Sequence, residues 1–459
     1  MGTPMSKARL LPPLAASLWL IGCAVPPPDT RALALENAQL PDSWRAGQAA
    51  GQFDADLLGF PIDGELRSLI AEALRYNADL RQSAARMEQA QAALKAAGGA
   101  ILPTVAIGGQ AGTSTLPTSS MGTSGAGLVA AWEIDLWGRL AAERSAAGAR
   151  WQASALDLAY ARESIAAGVV RGWIALGESA RQVEISQRML SLSQQQLTLV
   201  EHARSVGRDT DQDVALQQAA VEAQRQQLQA GQQAQQQARR ALEALLGRYP
   251  AAQLAAAGWP SLSDTLPAGI PSELLSRRPD LRAARQRFEA AFYGAEAAKR
   301  ARLPSLKLSG GVAYLADTAV LLKSGIDNPA WAATGQLLAP IFTGGQLQAQ
   351  VEAQDARQRE TVAAYNRAAL NALTEVENGL AGERLLRLRQ QAQQTQTDAL
   401  ARSVAHARRQ KRIGKISQYQ LLQQELNLAA AQAGLLRLRG QRLDNRVALH
   451  LALGGRFPT

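Results

Sequence analysis

Residues able to do chemistry are few and scattered in this 459-residue chain, which has one cysteine, three histidines, 49 Lys and Arg and 39 Asp and Glu. His202, His406 and His450 stand alone, without metal-ligand spacing, and a lone helical histidine is ordinarily structural or solvated. The Gly-, Ser- and Thr-rich stretch 108–127 lacks the strand-loop-helix setting of a phosphate cradle. No catalytic residue, cofactor or metal ligand is therefore assigned. Two charged clusters remain. The first holds Glu201, Asp209, Asp211 and Asp213, offset only by Arg204 and Arg208; the second holds Arg402, Arg408, Arg409, Lys411, Arg412 and Lys415, with no acid between Asp398 and Glu425. Clusters of opposite sign can pair, although each exposed ion pair is worth only about 0–1 kcal/mol.

Cys23 has a chemistry of its own. A single cysteine excludes a disulfide framework. Lys7 and Arg9 precede a short apolar run that ends Leu20-Ile21-Gly22-Cys23, the pattern of a bacterial lipoprotein signal over residues 1–22. Cleavage before Cys23 would leave its thiol to carry a diacylglycerol, and removal of two cations would lower the formal net charge from +10 to +8. Ala24 after the cysteine fits sorting to the outer membrane. Residues 23–62, with Pro26-Pro27-Pro28 and Pro41, read as a lipidated tether. Acyl chains anchor to one leaflet only, and beyond the N-terminus no apolar run reaches the roughly 18 residues of a spanning helix. Any crossing of the bilayer must then use β-strands. Basicity does not signal nucleic acid in an exported, lipid-anchored chain.

The elements that position these residues come in two copies. Asn77-Ala78-Asp79-Leu80-Arg81 and Arg278-Pro279-Asp280-Leu281-Arg282 are offset by 201, as are Leu102-Pro103 and Leu303-Pro304. From Ile134 and Ile341 onward the offset is 207, holding at Gly138 and Gly345, Gly207 and Gly414, and Leu246-Gly247 and Leu453-Gly454. The first repeat spans 63–247, an equatorial segment 248–271, the second repeat 272–454, and a tail 455–459.

Residues 118–249 and 341–457 contain no proline, and each run reads as two helices broken once, at 205–210 and 412–417. Gly207 followed by Thr210, and Gly414 followed by Ser417, are a helix stop and a helix start. Asp213 and Gln420 complete capping boxes three residues on. Val214, Val221, Leu228 and Leu242, and Leu421, Leu428, Leu435 and Leu449, recur at multiples of seven, as in side-by-side helices. An ordinary amphipathic bundle would give the same spacing. At 1.5 Å per residue the long helix, about Leu140 to His202, spans roughly 95 Å, and the return helix, about Thr210 to Leu246, only about 55 Å. A shorter helix, about Ser272 to Arg300, covers roughly the 40 Å that is missing.

Strands are expected at about 102–115, 125–138, 303–316 and 329–342, joined pairwise by loops Thr113–Gly125 and Asp317–Asn328. Val105, Ile107, Gly109 and Ala111 alternate with less apolar neighbours, as do Leu306, Leu308, Gly310, Val312 and Tyr314. That is a membrane-barrel pattern, and a soluble sheet would also satisfy it. Four strands cannot close a barrel, and an open edge in lipid costs several kcal/mol per unpaired group. Three chains would supply twelve.

The residues together resemble the TolC-like outer-membrane factors, specifically the OprM- and NodT-type lipoprotein branch. The resemblance rests on Leu20–Cys23, Leu66, Leu69, Ala73-Leu74, Asn77, Asp79-Leu80, Leu102-Pro103, Trp132 to Arg139, Arg278 to Leu281, Leu303-Pro304, Pro340-Ile341-Phe342 and Gly344-Gly345. It implies an α+β membrane protein: a homotrimer whose 12-stranded outer-membrane barrel, four strands per chain, continues into a periplasmic α-helical barrel. It also implies a passive exit duct for a tripartite efflux or type I secretion system in a Gram-negative outer membrane. Such a duct would meet a periplasmic adaptor at tip residues Gly207, Thr210, Asp213, Gly414, Ser417 and Gln420, while an inner-membrane transporter supplies the energy. The family often carries carboxylates six and nine residues after the second tip glycine; here Gln420 and Gln423 stand at the expected constriction, so a cation-selective acidic gate is not expected. By their charges, Asp209, Asp211 and Asp213 facing Lys411, Arg412 and Lys415 are candidates for a latch of the closed end, the other reading being solvated faces. The rival is a coiled-coil scaffold or adaptor lipoprotein, but an adaptor has one helical hairpin and this chain has two.

Overall fold

A computed structural model describes residues 26–35, 41, 43–46, 60–62, 64–116, 119–255, 258–262, 271–317 and 329–457. The signal, Cys23, most of the tether, residues 263–270 and the loop between 317 and 329 lie outside the described residues. The elements run α1 (Thr30–Ala34), α2 (Gly64–Tyr76), α3 (Ala78–Gly99), β1 (Thr104–Leu116), β2 (Ser119–Ile134), α4 (Arg139–Ser205) and α5 (Asp211–Leu245), then α6 (Pro271–Arg277), α7 (Pro279–Arg300), β3 (Ser305–Asp317), β4 (Pro329–Leu338), α8 (Gln346–Arg412) and α9 (Gln418–Ala452). The chain divides into two compact units, one holding the four strands and the other most of the helices.

The duplication reappears as equal lengths: 67 residues in α4 and α8, 35 in α5 and α9, 22 in α3 and α7. A 67-residue helix is about 100 Å long. The single helix expected from about Ser272 is in fact α6 and α7, because Pro279 cannot continue α6 and instead takes the first helical position of α7. In the first copy Asn77 makes the matching break as N-cap of α3.

The helical unit has two apolar cores, and equivalent residues of the two copies fall in different ones. Ala73, Val169, Leu242 and Leu246 belong to one apolar cluster, and their counterparts Leu274, Val376, Leu449 and Leu453 to the other. Close helix approach is allowed by Gly172 against Leu242 and by Gly379 against Leu449, where an added Cβ would lie 3.2 and 2.9 Å from a leucine methyl. The seven-residue rows therefore carry the packing, with Val221, Leu242, Leu421, Leu428, Leu435 and Leu449 all buried. The skipped position of the second copy is not solvated: Arg442 is buried, donating to Glu383 Oε1 at 2.7 Å.

The strand unit is one antiparallel sheet in the order β1-β2-β3-β4. The first pair extends past the loop expected at Thr113–Gly125, its register continuing to Leu116 opposite Ser119. Small Gly, Ser and Thr residues signal a loop by composition, yet none of them blocks a ladder hydrogen bond, so pairing persists almost to the turn. At the other end β2 stops at Ile134 and β4 at Leu338, short of the expected 138 and 342. There Asp135 caps the start of α4 through the N–H groups of Leu140 and Ala141 at 3.0 and 2.8 Å, and Pro340 offers no ladder donor.

Candidate duct wall and helical tips

Register assigns the sheet two unlike faces. Val105 lies opposite Ala130, Ile107 opposite Leu128, Leu128 opposite Val312, Trp132 opposite Leu308, Leu306 opposite Leu337 and Val312 opposite Trp331. These residues share one face, and because strand side chains alternate, Glu133, Lys307, Ser309, Thr334 and Gln336 fall on the other. Ser309 and Thr334 hydroxyls are 2.7 Å apart there. Among the described residues neither face is covered: Ile107 is 82%, Trp331 79% and Leu337 68% exposed on the apolar face, and Lys307, Ser309, Thr334 and Gln336 are exposed on the other. Among the described residues of the strands no side chain is buried. A soluble sheet would hide its apolar face under a core of its own; this one has an apolar face and a polar face, both open. Among the described residues β1 and β4 each pair on one side only, so two rows of backbone groups await partners. At the end of the wall Trp132 donates to Ile101 O at 2.9 Å and Trp137 to Pro304 O at 2.8 Å, holding indoles at the rim, where interfacial aromatics are favoured.

The helical tips are built alike. Gly207 and Gly414 have φ of +75° and +73°, the left-handed conformation that glycine adopts without penalty. Arg208 N–H donates to Ala203 O at 2.8 Å and Lys415 N–H to Gln410 O at 2.9 Å, closing the last turns of α4 and α8. Thr210 and Ser417 then cap α5 and α9. Asp213 N–H donates to the Thr210 hydroxyl at 3.2 Å and Thr210 N–H to the Asp213 carboxylate at 2.8 Å. Gln420 N–H donates to the Ser417 hydroxyl at 3.1 Å and Ser417 N–H to Gln420 Oε1 at 2.9 Å. The Thr210 hydroxyl and backbone N–H together hold the Asp213 carboxyl below the usual range.

The latch residues are divided. Asp211 pairs with Arg204 of its own hairpin at 2.5 Å, and Asp213 is engaged in its cap. Asp209 lines a cavity with Leu199, Val200, Leu216 and Tyr419. Arg408 pairs with Glu425 of α9. Among the described residues Lys411, Arg412 and Lys415 have no acidic partner, so the latch is not made within one chain. Gln420 is occupied by its cap. Gln423 accepts from Gln196 of α4 at 3.3 Å, and Gln196 in turn accepts from Gln217 of α5 at 3.3 Å. This glutamine relay, with Gln196 and Gln217 buried and Gln423 exposed, ties the two hairpins together near their ends, and no sequence period announces it.

Sequence reasoning also missed the joints between half-length helices, although their offsets were in view. Asn77 Nδ2 donates to Leu245 O at 2.9 Å, and Arg278 Nη1 donates to Ala452 O at 3.0 Å, so equivalent side chains tie equivalent carbonyls. Arg278 also forks onto Asp280 at 3.0 and 2.9 Å and reaches Glu375 at 2.7 Å. Burial pulls its pKa down, but the two carboxylates outweigh burial and hold it above the usual arginine value. Glu243 receives the N–H groups of Ala252, Gln253 and Leu254 at 2.7, 2.7 and 3.1 Å, fixing the start of the equatorial segment. Its counterpart His450 lies with Nε2 3.0 Å from Arg456 O.

Comparison with known proteins accords with this geometry. The family model described as "Outer membrane efflux protein" matches residues 69–248 and 270–455. The chain is 32% identical over 473 residues to the pyoverdine export outer membrane protein OpmQ of Pseudomonas putida, covering 98% of each. It is 28% identical over 464 residues to the cation efflux system protein CusC of Escherichia coli K12, covering 98% of this chain and 100% of that one. The open state of the Neisseria gonorrhoeae MtrE outer membrane channel superimposes with a TM-score of 0.81 at 25% identity, covering 91% of this chain and 96% of that one. The fold is that of the TolC-like channels, with four strands from each chain and paired long helices. The chain belongs to the outer membrane efflux protein family, a family of channels of the Gram-negative outer membrane.

Proposed function

We propose that this outer-membrane efflux channel is the passive exit duct of a tripartite assembly, formed by three copies that share one barrel. The observation that carries this reading is the sheet with two uncovered faces and two open edges. Edges in lipid cost several kcal/mol per unpaired group, and three copies of a four-stranded sheet close a barrel with a water-filled interior. The apolar face then meets lipid, and the face with Lys307, Ser309, Thr334 and Gln336 meets water. The tips at Gly207, Thr210, Asp213, Gly414, Ser417 and Gln420 would receive a periplasmic adaptor, with an inner-membrane transporter as the energy source. The acylated thiol of Cys23 would add a lipid anchor. No step here calls for a catalytic group.

Between copies, Lys411, Arg412 and Lys415 of one hairpin would meet Asp209, Asp211 and Asp213 of the next and hold the periplasmic end shut. Gln420 and Gln423 would line a constriction without a ring of acids. The test is planar-bilayer recording of the purified protein. A duct of this kind gives discrete, low conductance that rises when Arg412→Glu and Lys415→Glu are combined. Discrete channels whose conductance the double variant leaves unchanged would remove the latch alone; absence of channels would remove the duct.

A further inference from the structure

In the helical unit, a recess of about 280 Å³ opens between α4, the α6–α7 joint and the C-terminal segment. Its charged lining is Arg162, Arg277, Arg282 and Arg456 against one carboxylate, Glu163. The acids around it are already engaged. Arg278 holds Asp280 and Glu375, Arg277 holds Glu273 at 2.8 Å, and Glu163 accepts the Phe457 N–H at 3.0 Å. Among the described residues Arg162, Arg282 and Arg456 have no carboxylate partner. Like charges around one recess repel each other, and an anion seated among them would relieve that repulsion.

Packing fixes one wall of the recess. Gly454, at φ +76°, lies where an added Cβ would be 3.3 Å from Arg277 Cγ and 3.6 Å from Arg278 Cγ, so the C-terminal backbone presses on the arginine stems. The tandem copy serves as an internal control. At the same offsets, Arg277, Arg282 and Arg456 correspond to Tyr76, Arg81 and Tyr249. There Tyr76 is flanked by Arg75 and Arg81, 5.2 and 6.0 Å from its ring centroid. The first joint is thus held with one cation at these three positions, and the fold itself does not demand the arginines of the second.

We propose that this recess binds a compact anion with several oxygens, of the phosphate class. Arginines arriving from three separate elements suit an oxyanion whose acceptors point in different directions, and the planar guanidinium fork grips such oxygens two at a time. At roughly 30 Å³ per water, the recess accommodates a diphosphate-sized group. The ligand is either a soluble anion or the phosphate of a lipid headgroup.

Isothermal titration of the intact, detergent-purified protein tests this, with sodium diphosphate in one arm and dihexanoyl phosphatidylglycerol in the other. Ionic strength is fixed, because exposed charges are screened over about 10 Å at 0.1 M salt. Saturable binding in at least one arm is expected, and the arm that binds identifies the source. Arg162→Gln combined with Arg282→Gln should weaken it at least tenfold, while Arg437→Gln, outside the recess, should leave it unchanged. Should the double variant fail to assemble, Arg456→Gln alone gives the same reading at an exposed position. No saturable binding in either arm, or equal affinity in the recess variants and the parent, would overturn the proposal.

Discussion

Glu383 is the residue on which most charge depends. Its Oε1 accepts from Arg442 at 2.7 Å and from Arg446 at 2.8 Å, all three side chains being buried. Removing one partner of a buried ion pair leaves uncompensated charge and costs about 3–5 kcal/mol. Glu383→Ala should therefore lower the thermal midpoint of helix loss well below that of the surface variant Glu222→Ala, as read by circular dichroism. Two carboxyls respond to pH in opposite senses. Asp213 titrates below the ordinary carboxylate range when folded, because it is bonded to the Thr210 hydroxyl and N–H. Its contribution is complete above the unfolded pKa and is lost as pH falls through the folded one, so Asp213→Asn should flatten the acid side of the stability profile. Burial pushes Glu178 up to about 6, Arg437 opposing and Asp444 assisting. That carboxyl disfavours the folded state increasingly from about pH 4.5 to about 6, the penalty levelling off above that, so Glu178→Gln should stabilise at pH 7 and do little at pH 4. Thr210, Asp213, Ser417 and Gln420 were legible in sequence because a capping box is local. Glu383 with Arg446 was not, since 63 residues separate the partners.

At the scale of elements, the tips and the joints use the same left-handed glycine in different surroundings. Gly207, at φ +75°, has nothing within 4 Å of an added Cβ, whereas at Gly247, at φ +78°, that Cβ would lie 2.7 Å from Tyr76 O. Alanine at either position incurs backbone strain of about 1–2 kcal/mol, but only Gly247→Ala also collides with backbone. Gly247→Ala should thus be the more damaging in a thermal melt, and Gly207→Ala should remain folded. Long helices and their breaks could be read from proline-free runs, because proline exclusion is a strong local rule. The first strand pair ran further than its composition suggested, since Gly, Ser and Thr between Thr113 and Gly125 pair as well as they loop. The break before Pro279 was open to the same rule, but the guanidinium of Arg278 that ties the joint to Ala452 O is tertiary and was concealed.

For the whole molecule, the two faces of the sheet make opposite demands. A lysine at a lipid-facing site near mid-bilayer costs about 2–4 kcal/mol, against little on the lumen side. Ile107→Lys or Val312→Lys should reduce the heat-stable oligomer on gels, whereas Ser309→Lys on the opposite face should preserve it. The repeat offsets made the duplication plain, yet a single chain's sequence does not state how many copies meet, because the missing contacts belong to other molecules. Native mass measurement of the detergent-solubilised protein addresses that directly. Three chains per particle are expected, since only shared edges satisfy β1 and β4; a stable monomer with the same strand content would contradict the shared wall.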